Sequence, residues 1–289
     1  MNAWILAARP KTLPAAIVPV WVGCVLAWKL AGVVDWWLAG FTLAGAVCIQ
    51  VATNLFNDAI DARKGADTED RLGPRRVTAS GMLSPRAVYV GATVFLLLAF
   101  ACGVPLFQER GWVMVAIGVP SLFLAYGYTG GPFPLAYLGL GELFVILFFG
   151  FVAVMGTVFV QMGEWPWPGA VLGLQVGLLS AVLITINNMR DEEEDRRTGK
   201  RTLAVRWGGK AMQRVLGLMV LVAVCLTPFG HYFGMPWLYL LSIPWFLLGL
   251  TLVHLVKRTE PGPAYNMYLA LGALQLVSFA VVVTIAAVI

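Results

Sequence analysis

Ionisable side chains are scarce in this chain, and that scarcity decides its class. Asp, Glu, Lys and Arg make up 12% of the 289 residues, against about 25% in soluble domains. With 60% hydrophobic residues and a mean hydropathy of +0.81, disorder and a conventional soluble core are both excluded. Histidine occurs only as His231 and His254, which excludes a histidine-rich metal site. Cys24, Cys48, Cys102 and Cys225 stand singly within apolar runs. They have no metal-ligand spacing and read as small buried hydrophobes. The alternating segments of about ten residues that a membrane β-barrel needs are missing as well.

Long uncharged runs are what the chain has in abundance. A helix needs roughly 20 apolar residues to cross a bilayer, and the sequence predicts an all-α polytopic membrane protein with nine spans. These lie at about 13–34, 36–57, 87–108, 112–129, 142–162, 167–189, 213–231, 236–256 and 267–288. Two runs too long for one helix are divided at turn chemistry, Thr129-Gly130-Gly131-Pro132-Phe133-Pro134 and Phe229 to Pro236. With the N-terminus in the cytoplasm, 18 of the 20 Lys and Arg residues fall on the cytoplasmic side, and Lys29 and Arg110 fall outside. That bias predicts the orientation and suits a bacterial inner membrane. The net charge of +5 then reads as topology and contact with anionic lipid, with no nucleic-acid partner. The first span follows Arg9-Pro10-Lys11-Thr12 and reads as a retained helix, since its apolar run exceeds a signal-peptide core. Residues 1–289 read as one transmembrane domain; oligomeric state leaves no mark on the sequence.

The charge that exists is concentrated. Asp58 to Arg86 and Arg190 to Arg214 hold 24 of the 35 charged residues. Residues three and four apart share a helix face, so Asn54, Asn57, Asp58 and Asp61 form one stripe at the end of the second span. Asn187, Asp191 and Asp195 form another at the end of the sixth. The amides extend both stripes back into apolar sequence, where an unpaired amide is costly. Carboxylates of this density cannot face lipid and must line an interface or a wet cavity. Oxygen ligands without Cys or His favour a hard ion. Mg²⁺ suits such a set when substrate phosphates complete its shell. Arg63, Lys64, Arg71, Arg190, Lys200 and Arg201 are near enough in sequence to hold phosphate oxygens. Glu192, Glu193 and Glu194 read as a solvated face.

At these residues the chain resembles the UbiA superfamily of intramembrane aromatic prenyltransferases. The signatures are Asn57-Asp58-Ala59-Ile60-Asp61 after the second span and Asp191-Glu192-Glu193-Glu194-Asp195 after the sixth. A narrower similarity, to the branch that prenylates 1,4-dihydroxy-2-naphthoate in menaquinone biosynthesis, runs through several segments. They include Ala8-Arg9-Pro10-Lys11-Thr12-Leu13-Pro14, Tyr128-Thr129-Gly130-Gly131-Pro132, Gly139-Leu140-Gly141-Glu142 and Asn187-Asn188-Met189-Arg190-Asp191. The third acidic position after Asp61 is Gly65, with Asp67 two residues later, a shift the branch shares.

The resemblance implies a nine-helix bundle with a cytoplasmic cap from the loops after helices 2 and 6. It implies Mg²⁺-dependent transfer from a polyprenyl diphosphate to an aromatic acceptor, with CO₂ and diphosphate released and demethylmenaquinone formed. Asn57, Asp61, Asp191 and Asp195 would hold Mg²⁺, with Asp58 in support. Arg9, Lys11, Asn54, Asp67, Arg71, Asn187, Asn188, Lys200 and Arg201 would contact substrate. Beside that resemblance, Tyr126 and Tyr128 at the end of the fourth span read as shields for the allylic cation or as interfacial anchors, and Glu142 as orienting an aromatic hydroxyl or capping a helix. Transfer to 4-hydroxybenzoate is the nearest alternative. A transporter with paired ion sites is the rival from another class, disfavoured because both stripes end in basic loops on one side.

Overall fold

Apolar runs bounded by caps and glycine turns become helices throughout. The structure, a computed structural model, describes residues 2–65, 72–74 and 76–289, and every regular element among them is helical. Eight helices are long and apolar enough to cross a membrane: α1 Pro14–Ala31, α2 Trp36–Arg63, α3 Pro85–Arg110, α5 Gly141–Met162, α6 Trp167–Arg190, α7 Gly209–Phe233, α8 Leu238–Arg258 and α9 Tyr265–Val288. The ninth expected span is α4, Trp112–Gly127, with 16 residues. At roughly 1.5 Å per residue it falls short of the roughly 30 Å hydrocarbon layer.

The ends obey local chemistry. Asp35 accepts from the backbone N–H groups of Trp37 and Leu38 at 2.9 and 3.0 Å, opening α2. Ser84 caps α3 ahead of Pro85, which needs no N–H at that position. The predicted break at Phe229 to Pro236 is a 3₁₀ turn over Thr227–Phe233 that closes α7. Pro228 leaves the Val224 carbonyl without a helical donor, and the Thr227 hydroxyl donates to it at 2.8 Å. The other break, after α4, passes through a short turn at Leu135–Tyr137 before α5 begins.

Helix α6 is the axis of the bundle, with 72% of its apolar window buried, whereas α3 has 11%. The main core joins α1, α6, α7, α8 and α9, with Leu26, Leu172, Val176, Leu179, Trp245 and Phe279 at its centre. A second cluster packs the N-terminal helix Ala3–Ala8 on α2 and α3. Where α5 crosses α6, Gly150 lies so close that a Cβ there would overlap the Gly173 carbonyl oxygen. A Cβ on Gly177 would stand 2.8 Å from the Ile146 carbonyl oxygen. Backbones approach this closely in membranes through small residues spaced by four, and α5 is π-helical over Ile146–Met155 at this crossing. Contact here frees space on the other side of α5.

Candidate active site

That space is a cavity of about 1200 Å³ lined by α1 to α6 and the start of α9. Its walls are mostly apolar, including Phe41, Phe144, Phe148 and Phe149. Phe100 and Phe107 of α3 and Trp112 and Val119 of α4 line it while also being exposed on the outer surface. The cavity therefore reaches the lipid-facing flank between α3 and α4. Polar side chains gather at one end, where Arg9, Lys11, Asn57, Arg76, Asn187 and Lys200 face the space.

Helix α2 runs past its expected end to Arg63, so the first stripe is wholly helical. Asn54 donates to the Ala8 carbonyl at 2.9 Å and to the Thr12 hydroxyl at 3.0 Å, holding the N-terminal segment against α2. Arg9 adopts a left-handed conformation, φ 51°, which costs about 1 kcal/mol for a residue with a Cβ. Its guanidinium donates to Asn57 Oδ1 at 3.0 Å, and Asn57 Nδ2 donates to the Thr129 hydroxyl at 3.1 Å. Asp61 accepts from the Tyr137 hydroxyl at 2.8 Å and lies 3.9 Å from the Arg76 guanidinium.

Asp58 lines the cavity beside Asn57 and has a structural task as well. Its carboxylate accepts from the backbone N–H groups of Val77 and Thr78, at 3.2 and 2.9 Å, so it anchors the turn that leads to α3. Asp67 and Arg71 lie outside the described residues.

The second stripe bends. Helix α6 stops at Arg190, and Asp195 belongs to a separate helix, Glu192–Arg197. The four-residue register survives, because the Asp195 N–H still donates to the Asp191 carbonyl at 2.8 Å. Arg190, almost fully buried, forms two 2.7 Å bonds to Asp191 and donates to Asn187 at 2.9 Å and Asn266 at 2.8 Å. Asp195 lies 3.5 Å from Lys200. Its Oδ2 is buried with no hydrogen-bond partner among the described residues. Burial pushes this carboxyl up to about 6; Lys200 opposes the shift, while Asp191 and Asp61 add to it. Those couplings place both stripes within electrostatic reach of one another. Glu192 and Glu193 pair with Arg196 and Arg197 on the surface, as a solvated face should.

Tyr137, which sequence reasoning passed over, joins the halves. Its hydroxyl reaches Asp61, the Lys64 ammonium sits 3.9 Å above its ring, and Lys200 lies 5.7 Å from it. Its carbonyl accepts from the Arg201 N–H at 3.2 Å. Arg201 takes part through its backbone, and its exposed side chain does not line the cavity. Asn266 was also missed; it bridges Arg190 to the Leu72 carbonyl at 3.0 Å. An amide opening an otherwise apolar last span was the available signal.

The two tyrosines part company. Tyr128 lines the cavity, and burial with nearby Glu142, Asp61 and Asp195 keeps its hydroxyl protonated. Tyr126 does not line it; it is exposed and packs edge-on against Phe56 at 5.4 Å. Shielding of the cavity by Tyr126 is therefore not what this geometry provides. Glu142 and Asn188 pair at 3.0 Å on the cavity wall.

The donor set suits a hard divalent cation. It offers amide and carboxylate oxygens, one of them a buried orphan, with no thiolate or imidazole. Among the described residues no three carboxylate, thiol or imidazole side chains converge on one point. The protein alone therefore supplies few ligands, the arrangement in which substrate phosphates complete the shell.

An intramembrane helical bundle with a lipid-accessible apolar cavity, closed at one end by acidic stripes and cations, is a class suited to amphiphiles with anionic heads. The chain belongs to the UbiA prenyltransferase family, whose sequence pattern matches residues 16–286, and it is a multi-pass membrane prenyltransferase. The 1,4-dihydroxy-2-naphthoate octaprenyltransferase of Mycobacterium tuberculosis is 37% identical over 261 residues, covering 90% of this chain and 85% of that one. The Escherichia coli protein of the same name is 34% identical over 256 residues, covering 84% and 82%. A UbiA homolog from Archaeoglobus fulgidus, solved with DMAPP and Mg²⁺, superposes with a TM-score of 0.68 at 14% identity, over 98% and 99% of the chains. An apo UbiA homolog from Aeropyrum pernix K1 gives 0.71 at 19%, over 95% and 98%. At those identities the two structures establish the shared fold.

Proposed function

We propose that the protein transfers a polyprenyl group from its diphosphate to 1,4-dihydroxy-2-naphthoate, releasing diphosphate and CO₂ and giving demethylmenaquinol, the quinol form of demethylmenaquinone. The observation that carries this reading is the junction of two unlike environments. An apolar cavity ends in a polar wall of Arg9, Lys11, Asn57, Asp58, Asn187 and Lys200, and Asp61, Asp191 and Asp195 stand behind that wall within electrostatic reach of one another. A long isoprenoid diphosphate has that same division. The names of the Mycobacterium and Escherichia relatives support the naphthoate acceptor, and the ligands of the Archaeoglobus homolog support a prenyl diphosphate with Mg²⁺.

In this reading Asn57, Asp61, Asp191 and Asp195 hold Mg²⁺ against the diphosphate. Bound there, the metal supplies Lewis-acid neutralisation of the charge that develops on the departing group. Arg9, Lys11 and Lys200 bind the phosphate oxygens the carboxylates leave free. The apolar walls and Tyr128 exclude water from the allylic cation until the ring attacks it. Arg190 holds Asp191 in position between Asn187 and Asn266. The concentration of Lys and Arg beside both stripes supports placing this end on the cytoplasmic side of a bacterial inner membrane.

The purified protein should release diphosphate from a polyprenyl diphosphate only with both an aromatic acceptor and a divalent metal. Asp61→Asn and Asp191→Asn should each abolish release while the protein stays folded; full activity in either sinks the site assignment. Turnover of 4-hydroxybenzoate with none of 1,4-dihydroxy-2-naphthoate would move the acceptor assignment to the benzoate.

A further inference from the structure

One wall of the cavity carries polar atoms that neither the metal nor the diphosphate accounts for. Glu142 opens α5 and is 3% exposed, and its Oε1 accepts from Asn188 Nδ2 at 3.0 Å. Its Oε2 has no hydrogen-bond partner among the described residues, although the side chain lines the cavity. A buried acceptor left unpaired costs about 1–3 kcal/mol, and such atoms in native structures call for a ligand or an ordered water. The Tyr128 hydroxyl is next to it, 3.0 Å from where a Cβ on Gly141 would stand. Any larger residue at position 141 would crowd this hydroxyl out of place.

The chemistry of the pair selects the occupant. A carboxylate oxygen only accepts, so whatever satisfies Glu142 brings a hydrogen-bond donor. A diphosphate coordinated by metal brings acceptors and negative charge, which the carboxylate repels. An isoprenoid tail brings neither. A hydroxyl on an aromatic ring brings the donor, and Tyr128 offers a second contact to the same ring. Asn188 prevents Glu142 from turning away toward the cations at the neighbouring stripe.

We infer that Glu142 is the residue that recognises the aromatic acceptor, taking a hydrogen bond and then the proton from one of its ring hydroxyls. The inference rests on the prenyl-transfer reading and adds the group that activates the ring. As the hydroxyl proton moves to Glu142 Oε2, the oxygen electron pair enters the ring. The ring carbon that bears the carboxylate bonds to the prenyl carbon, and the carbon–oxygen bond to diphosphate breaks with its pair on diphosphate. Loss of CO₂ returns a pair to the ring, and the proton returns from Glu142 to the ring oxygen. Atoms and charge balance without another reactant.

The test is steady-state kinetics on the full-length protein in lipid nanodiscs with Mg²⁺, geranyl diphosphate and three acceptors. These are 1,4-dihydroxy-2-naphthoate and its two monohydroxy analogues, 1-hydroxy- and 4-hydroxy-2-naphthoate. Glu142→Gln keeps the size and an oxygen for Asn188 but cannot take a proton. It should lower kcat/KM for the dihydroxy acceptor at least tenfold, leave KM for the donor within twofold, and remove the acid limb of the wild-type pH profile. The penalty should shrink toward unity on the analogue lacking the contacted hydroxyl. Glu142→Asp, which keeps the carboxylate, should recover part of the loss and decides the matter if the Gln variant does not fold. Wild-type kinetics in Glu142→Gln, or an equal loss on all three acceptors, would overturn the inference while leaving prenyl transfer intact. A wild-type protein inactive on every acceptor would overturn prenyl transfer itself.

Discussion

Tyr137 stands between the two acidic halves: its hydroxyl donates to Asp61 at 2.8 Å, and its carbonyl accepts from the Arg201 N–H at 3.2 Å. Removing the hydroxyl as Tyr137→Phe keeps the ring that Lys64 and Lys200 flank and deletes one hydrogen bond of about 1 kcal/mol net. The expected loss in kcat/KM for diphosphate release is therefore about fivefold, with little change in thermal stability. Asp195 makes a separate prediction. Burial raises its carboxyl to about 6 from an ordinary 3.8, so the metal-free folded state holds this proton more tightly than the unfolded chain. Stability of the metal-free protein should therefore fall as pH rises from about 4 through about 6 and level off above. Thermal midpoints measured in chelator across that window should show the slope, and Asp195→Asn should flatten it. At pH 7.5 Mg²⁺ should raise the wild-type midpoint more than that of the variant.

Among the elements, α5 crosses α6 backbone to backbone through glycines. A methyl group at Gly150 has no room beside the Gly173 carbonyl, so the helices must separate. Gly150→Ala should cost about 1–3 kcal/mol, the range for overpacking, read as a lower unfolding midpoint in detergent. Gly118 is the contrasting case. It lies on the cavity-facing row of α4 with Met114, Ser121, Ala125 and Tyr128, and a Cβ there would meet nothing within 4 Å. Gly118→Phe should leave stability near wild type and narrow the apolar arm. Turnover of long polyprenyl diphosphates should drop severalfold relative to geranyl diphosphate, which product analysis across donor lengths will show.

Over the whole molecule, what could be read from the sequence follows from where each signal resides. Hydrophobic runs and glycine–proline turns are local, so eight spans and both divided runs were legible; α4 came out as a shorter helix than the run that holds it. The stripes were legible because they obey a helix period, and the bend at Asp191 was not, because Arg190 beside it is held by Asn266 from across the fold. Asp58 looked equivalent to Asp61 by spacing. The return of Val77 and Thr78 to its carboxylate gives Asp58 an anchoring contact that spacing does not show. Tyr126 and Tyr128 differ by about 200° around a helix, but which of them faces inward is decided by packing on Phe56. Tyr137 was invisible for the same reason, as a lone aromatic in a loop whose partners come from α2 and from the segment at Lys200 and Arg201.

The exposed flank of α3 and α4 has a consequence for how this protein meets its reactants. The cavity reaches the outer surface where Phe100, Phe107 and Trp112 stand exposed. A donor with a long isoprenoid tail then enters sideways from the bilayer, and the prenylated product leaves into the same phase. The concentration the protein responds to is a mole fraction in lipid, not a quantity per litre of buffer. Adding empty lipid at a fixed amount of donor should slow turnover in proportion, and diluting the whole suspension with buffer should leave the rate per protein unchanged.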